Sequence, residues 1–168
     1  MLRRFLAFLN IVTMVLLLAV PAGAVPPRTK EFLKDSIDKI VISTSKRRLY
    51  YYDVNNNVQT FTIAVGRQGR KWSGETRVTR KVLRPKWAPP PAIRKDNPRL
   101  PAIVMPGPSN PLGAAVLVLG DGTYGIHGNN NVAAIGTEAS YGCFRMYNDD
   151  ILKLFKEVKI GTAVTVLP

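Results

Sequence analysis

Nine of the 13 prolines in the chain fall between Pro85 and Pro111. Proline has no amide hydrogen and a fixed φ, so a stretch this dense forbids regular helices and ladders. The segment opens PKWAPPPAIRK and closes VMPGPSNPLG. A long ordered loop of this kind is usually functional. It either shapes a cleft, with Trp87 as its anchor, or forms a rigid surface flap that touches no substrate.

On both sides of this belt the texture is β. Lys39–Ser43 (KIVIS) is a short apolar strand, and Leu49–Val54 (LYYYDV) follows a basic turn at Lys46–Arg48. Asn55, Asn56 and Asn57 form a turn, because asparagine tolerates left-handed backbone. Val58–Val65 (VQTFTIAV) alternates and completes a hairpin. Gly66–Gly74 (GRQGRKWSG) lacks the lysine and hydroxyl placement of a phosphate loop and reads as a flexible connection. Thr76–Leu83 is a further strand. Ala114–Leu119 is a buried strand, Asp121-Gly122 a turn, and Thr123–His127 its partner. Asn148–Val158 (NDDILKLFKEV) is the one well-marked helix, with Ile151, Leu154, Phe155 and Val158 on one face. Asn148 is its expected N-cap, and Asp149 and Asp150 suit the positive end of the dipole. Thr162–Leu167 is a closing strand. The expectation is about seven strands and one helix. That is a mainly β fold, a mixed but mostly antiparallel sandwich or flattened barrel with one C-terminal helix packed on it.

The 168 residues suit a single domain. Residues 1–24 have the layout of a secretory signal peptide. Arg3 and Arg4 form a basic head, Phe5–Val20 is apolar, and Ala22-Gly23-Ala24 is a small-x-small cleavage site. The apolar run is short for a membrane span, although an uncleaved anchor over residues 5–20 is the alternative. Residues 25–38 form a linker with a helical turn at 31–37, and residues 39–168 form the domain. Cleavage would take two of the 24 basic residues and none of the 11 acids, and would leave a net charge of +11. In an exported compartment, periplasm or cell wall, such a charge favours anionic partners. Nucleic acid is not indicated, because the basic residues are scattered and no nucleic-acid motif accompanies them.

Tyr124–Met146 (YGIHGNNNVAAIGTEASYGCFRM) carries the chain's only histidine, His127, and its only cysteine, Cys143. One cysteine cannot form an internal disulfide, and a free thiol in an oxidising compartment is a liability. An imidazole can take the proton of a thiol and leave a strong nucleophile. Glycines beside both residues allow sharp turns and close approach of a substrate. The plain alternative is a small buried cysteine and an unrelated loop histidine. A metal site is not indicated, since one Cys and one His supply too few ligands.

IHG at 126–128 followed by SYGCFRM at 140–146 resembles the signature of the L,D-transpeptidase catalytic domain, the YkuD-type family. Residues 74–95, 106–113 and 150–166 are similar to its ErfK-like branch. The resemblance implies a cysteine enzyme without a cofactor that acts on peptidoglycan stem peptides. Cys143 is then the nucleophile and His127 the base. The N–H groups of Gly142, Cys143 and Tyr141 are the nearest oxyanion donors. Arg145 holds a substrate carboxylate, or else supports the loop through an ion pair. Ser140 orients His127 or holds the loop turn. Tyr141, Tyr124 and Trp87 complete the candidate substrate-binding set. The acceptor amine belongs to a second stem or to a wall-anchored lipoprotein, and the protein acts as a monomer. Two positions depart from the family pattern: Tyr141 replaces its usual histidine, and Asn129 replaces its usual threonine. Three other readings share these residues: a carboxypeptidase or hydrolase cutting the same bond, a wall-binding protein with a decayed site, and a cysteine peptidase acting on proteins.

Overall fold

The computed structural model describes residues 38–168. The expected leader, the helical turn at 31–37 and all of the linker except Asp38 lie outside the described residues. None of the described helices is long and apolar enough to cross a membrane.

The strands are β1 (Lys39–Ser43), β2 (Arg48–Tyr52), β3 (Val58–Thr62), β4 (Val65–Gly66), β5 (Gly74–Leu83), β6 (Ala115–Leu119), β7 (Tyr124–His127), β8 (Glu138–Ser140), β9 (Phe144–Arg145) and β10 (Ala163–Leu167). The helices are α1 (Pro91–Asp96) and α2 (Asn148–Glu157), with a 3-10 turn at Val132–Ala134. Eight strands form one curled sheet in the order β3-β2-β1-β10-β5-β6-β7-β9, and β4 pairs with β8 separately. The β1–β10, β7–β9 and β4–β8 pairings are parallel, and the other five are antiparallel. The expected class, a mainly β mixed sheet with one principal helix, is the one found.

Local chemistry explains the hairpins. Asp53 Oδ1 accepts the N–H groups of Asn55 and Asn57, both at 2.8 Å, and Asn56 takes φ +65°. The asparagine run therefore closes the β2–β3 turn through a side-chain acceptor and one left-handed residue. Alternate residues of β1, β2, β6 and β10 point inward, and Ile40, Ile42, Leu49, Leu117, Val164 and Val166 are buried. Ile151, Leu154 and Val158 of the α2 segment pack onto this layer, and the helix lies against β6 and β7.

Four expectations need correction. Val58–Val65 is not one strand, because it breaks at Ile63 and Ala64, between β3 and β4. Ile63 N–H donates to Arg47 O, while Ala64 exchanges two hydrogen bonds with Arg145. The proline belt is not devoid of regular structure. Pro91 opens α1, where a missing N–H costs nothing, and Trp87 pairs with Val104 as an isolated bridge. Asn148 is the first residue of α2 rather than its cap, a position held by Tyr147. Its Oδ1 instead accepts the N–H groups of Ala114 (3.0 Å) and Asn129 (3.2 Å). A Cβ at Gly113 or Gly128 would come within 2.2 Å of that oxygen, so both positions need glycine. Finally, ten strands occur among the described residues rather than about seven, the extra ones being the two- and three-residue β4, β8 and β9.

Candidate active site

The parallel β7–β9 pair sets His127 opposite Arg145 and Ile126 opposite Phe144. Cys143 immediately precedes β9, so the strand register brings the thiol and the imidazole to one end of the sheet. Both residues line two adjoining cavities of about 240 and 320 Å³. Trp87, Pro90 and Leu112 line both cavities, so the proline belt covers this end of the sheet and is not a flap remote from it. The smaller cavity also receives Arg70, Ile93, Tyr141 and Arg145, and the larger one Arg80, Lys86 and Val118.

His127 is only 4% exposed. Its Nδ1 lies 2.6 Å from Gly128 O. A carbonyl can only accept, so Nδ1 carries the hydrogen and Nε2 keeps its lone pair. Burial, reinforced by the Arg145 charge, brings the pKa down to about 4, with the Gly128 bond opposing. The imidazole is therefore neutral near pH 7. Burial also pushes the Cys143 thiol up, while the Gly125 backbone and Arg145 pull it down. The resting pair is a neutral thiol facing a neutral base, not a thiolate–imidazolium ion pair.

Arg145 lines the smaller cavity together with these two groups. Burial lowers its pKa, and the Cys143 and Tyr141 charges oppose that shift. Its Nε is buried without a hydrogen-bond partner, and no carboxylate pairs with it among the described residues. The loop-supporting ion pair anticipated as an alternative is absent there. A buried cation without an anion is costly, so this cavity favours an anionic ligand.

The loop before the thiol is braced from several sides. Ser140 is fully buried. Its Oγ accepts the Gly142 N–H at 3.0 Å and donates to Cys143 O at 2.5 Å. Of its two expected roles it takes the turn-holding one, since neither bond reaches His127. The Gly142 N–H is thereby committed, and the expectation that it serves an oxyanion needs revision. The Cys143 N–H donates to nothing among the described residues and remains available. Gly142 has φ +120°, and a Cβ there would lie 2.5 Å from Tyr124 Cε1. Both facts require glycine.

Trp72 is the residue that sequence reasoning missed. Its Nε1 donates to Gly142 O at 2.9 Å, and its ring stacks on Tyr124 with centroids 4.9 Å apart. Gly66–Gly74 is thus no flexible connection. A Cβ at Gly66 would sit 2.4 Å from Arg70 O, so the loop folds tightly on itself behind the thiol. The available signal was a tryptophan inside a basic, glycine-containing loop. Asp96 was missed too, because nothing local announces that its carboxylate meets Tyr141. Asn129 is 3% exposed, and its Oδ1 has no partner. No group of three or more metal-ligating side chains occurs among the described residues.

A curled mixed sheet that ends in a half-buried cysteine and a buried histidine, beside an arginine with no carboxylate partner among the described residues, defines a candidate acyl-transfer site. The family model of the L,D-transpeptidase catalytic domain (YkuD) matches residues 37–166, and the chain belongs to that family. It is 40% identical over 143 residues to the probable L,D-transpeptidase ErfK/SrfK of Escherichia coli K12, covering 80% of this chain and 46% of that protein. It is 39% identical over 142 residues to the probable L,D-transpeptidase YbiS of the same strain, covering 79% and 45%. The chain thus spans about half the length of these relatives. The crystal structure of L,D-transpeptidase 3 from Mycobacterium tuberculosis shares the fold at TM-score 0.62 and 14% identity, over 78% of this chain and 61% of that one. The catalytic domain of the Enterococcus faecium L,D-transpeptidase, acylated by ertapenem, matches at TM-score 0.56 and 16% identity, over 79% and 98%.

Proposed function

We propose that this chain is an exported, cofactor-free L,D-transpeptidase of peptidoglycan that works through Cys143 and His127. One observation carries the reading: the only thiol and the only imidazole share a cavity with a half-buried guanidinium that has no carboxylate partner among the described residues. Its donor substrate is a stem tetrapeptide ending in a diaminopimelate–D-alanine bond.

The chemistry follows from the protonation states. His127 Nε2 takes the thiol proton as Cys143 Sγ attacks the diaminopimelate carbonyl carbon. The Cys143 N–H, which has no acceptor among the described residues, donates to the resulting oxyanion, and such a donor is worth about 10²–10³ in rate. The C–N bond then breaks, His127 returns its proton to the departing D-alanine amine, and a thioester remains. An acceptor amine attacks the thioester and passes a proton to His127, the C–S bond breaks, and the thiol is restored. Arg145 pairs with a stem carboxylate and fixes the donor against the thiol. Tyr124, Tyr141 and Trp87 give the stem its walls. The two cavities meeting at Cys143 offer separate approaches for donor and acceptor. The acceptor is a second stem or the lysine of a wall lipoprotein, and the protein acts as a monomer in the periplasm or cell wall.

The test is to mix purified protein with disaccharide-tetrapeptide and follow substrate and protein by mass spectrometry, with Cys143→Ser and His127→Ala as controls. Loss of D-alanine with dimer formation, absent in both controls, is the expected result. Loss of D-alanine with tripeptide and no dimers would instead indicate hydrolysis. Near-normal acylation in His127→Ala would remove the base assignment. A protein that neither releases D-alanine nor gains the mass of a carbapenem would be a wall-binding relative.

A further inference from the structure

Tyr141 occupies a position where the family pattern carries a histidine, and its hydroxyl reaches outside the catalytic loop. It donates to Asp96 Oδ2 at 2.5 Å. Asp96 is the last residue of α1, the short helix of the proline belt. The same carboxylate oxygen accepts from Arg67 Nη2 at 2.9 Å. Arg67 also lies over the Tyr141 ring, its Cζ 4.1 Å from the centroid, and Arg70 stands behind it at 5.5 Å. Three segments far apart in sequence thus meet at one carboxylate: the loop after β4, the end of α1 and the loop before the thiol. On its other side α1 presents Ala92 and Ile93, and Pro90 precedes it, to the cavity that holds Cys143 and Arg145. Within the belt, Arg94 Nη2 donates to Pro101 O and Ala102 O, which ties α1 to the turn that follows it.

We propose that Tyr141 is a positioning residue: through Asp96 and Arg67 it clasps the α1 flap against the catalytic loop, and so sets the width of the smaller cavity, the one that holds both Cys143 and Arg145. The side chains of Arg67 and Asp96 are each 45% exposed. Exposed ion pairs are individually weak and screened by salt. Two hydrogen bonds converging on one carboxylate, with Arg67 stacked over the Tyr141 ring, hold the flap while leaving it able to open. The clasp itself stands on geometry alone. Its consequence for turnover rests on the acyl-transfer reading, with the flap keeping a bound stem pressed towards the thiol and water out.

The chain's single cysteine makes the test specific. Tyr141→Phe keeps the ring and removes the hydroxyl, and Asp96→Ala removes the shared acceptor. Both groups are at the surface, so neither change empties the core. Cys143 is alkylated with iodoacetamide and, separately, with a polyethylene-glycol maleimide, and the ratio of bulky to small reagent rates is taken. The ratio should rise on the order of fivefold in each variant, the factor expected when one modest contact is lost. It should rise little further in the double variant, because both changes open one clasp. Asp96→Asn, which still accepts from Tyr141, should fall between wild type and Asp96→Ala. With the stem tetrapeptide the same variants should raise KM more than they lower kcat. Ratios equal to wild type in both single variants would overturn the clasp, and so would additive effects in the double variant. If the ratios change while wild type releases no D-alanine, the clasp stands and the transpeptidase reading fails. If wild type turns over and the ratios are unmoved, the reverse holds.

Discussion

At the residue scale, the site depends on keeping two titratable groups neutral. A free imidazole titrates near 6.5, yet burial beside Arg145 brings His127 down to about 4. The depressed value means that the base stays unprotonated well below neutrality and is lost only when pH falls through about 4. The acid limb of kcat/KM, which reports the free enzyme, should therefore lie near 4 and not near 6.5. A limb near 6.5 would show that water reaches the ring. The raised Cys143 thiol makes the complementary point. In the resting site little thiolate is present, so attack must be coupled to proton transfer. Most of this was hidden in the sequence. The pairing of His127 with Cys143 was legible, because no other histidine or cysteine competes. Their pKa directions were not, because burial is a property of the packed chain.

At the element scale, short loops do the aiming. The Gly66–Gly74 loop, β7 and the loop before β9 interlock through Trp72, Tyr124 and Gly142. The indole nitrogen supplies the only hydrogen bond drawn to Gly142 O among the described residues. Trp72→Phe would keep an apolar ring and lose that bond, at a cost of about 1 kcal/mol in stability. The larger effect should be on rate. Misplacement of a nucleophile by about 1 Å can cost on the order of 10²-fold, so acylation of Cys143 by a carbapenem should slow by roughly 10- to 100-fold. Stopped-flow acylation alongside a thermal melt separates the two effects. A rate within about twofold of wild type would mean that Ser140 alone holds the loop. Of these elements the hairpins and α2 could be read from local pattern. The two- and three-residue strands could not, since so few residues carry no periodicity.

At the scale of the whole molecule, the last strand holds the sheet together. β10 lies between β1 and β5, pairing in parallel with the first and antiparallel with the second. It joins the N-terminal hairpin strands to the strands that carry the site. Its inward residues, Val164 and Val166, are each 1% exposed. A chain ending at Thr162 would leave two sheet edges open and divide the core. It should show no cooperative thermal transition by circular dichroism and should not acylate. A truncated chain that melted cooperatively close to the intact protein would contradict this, and would make the β5–β9 half an independent folding unit.

The sequence by itself determined the local units: the apolar runs of β1 and β6, the alternation of β3, the asparagine turn, the apolar face of α2, and the identities of Cys143 and His127. These follow from periodicity, backbone preference and the scarcity of reactive side chains, all of which act over a few residues. Only the tertiary structure decided which strands pair across long separations. It also turned Val58–Val65 into two strands, turned the Asn148 side chain from capping its helix to accepting from Ala114 and Asn129, and joined Tyr141 to Asp96. The physical reason is common to all of these. A long-range partner is chosen by the core that results and by the polar groups that must be satisfied around it, and neither exists until distant segments have met.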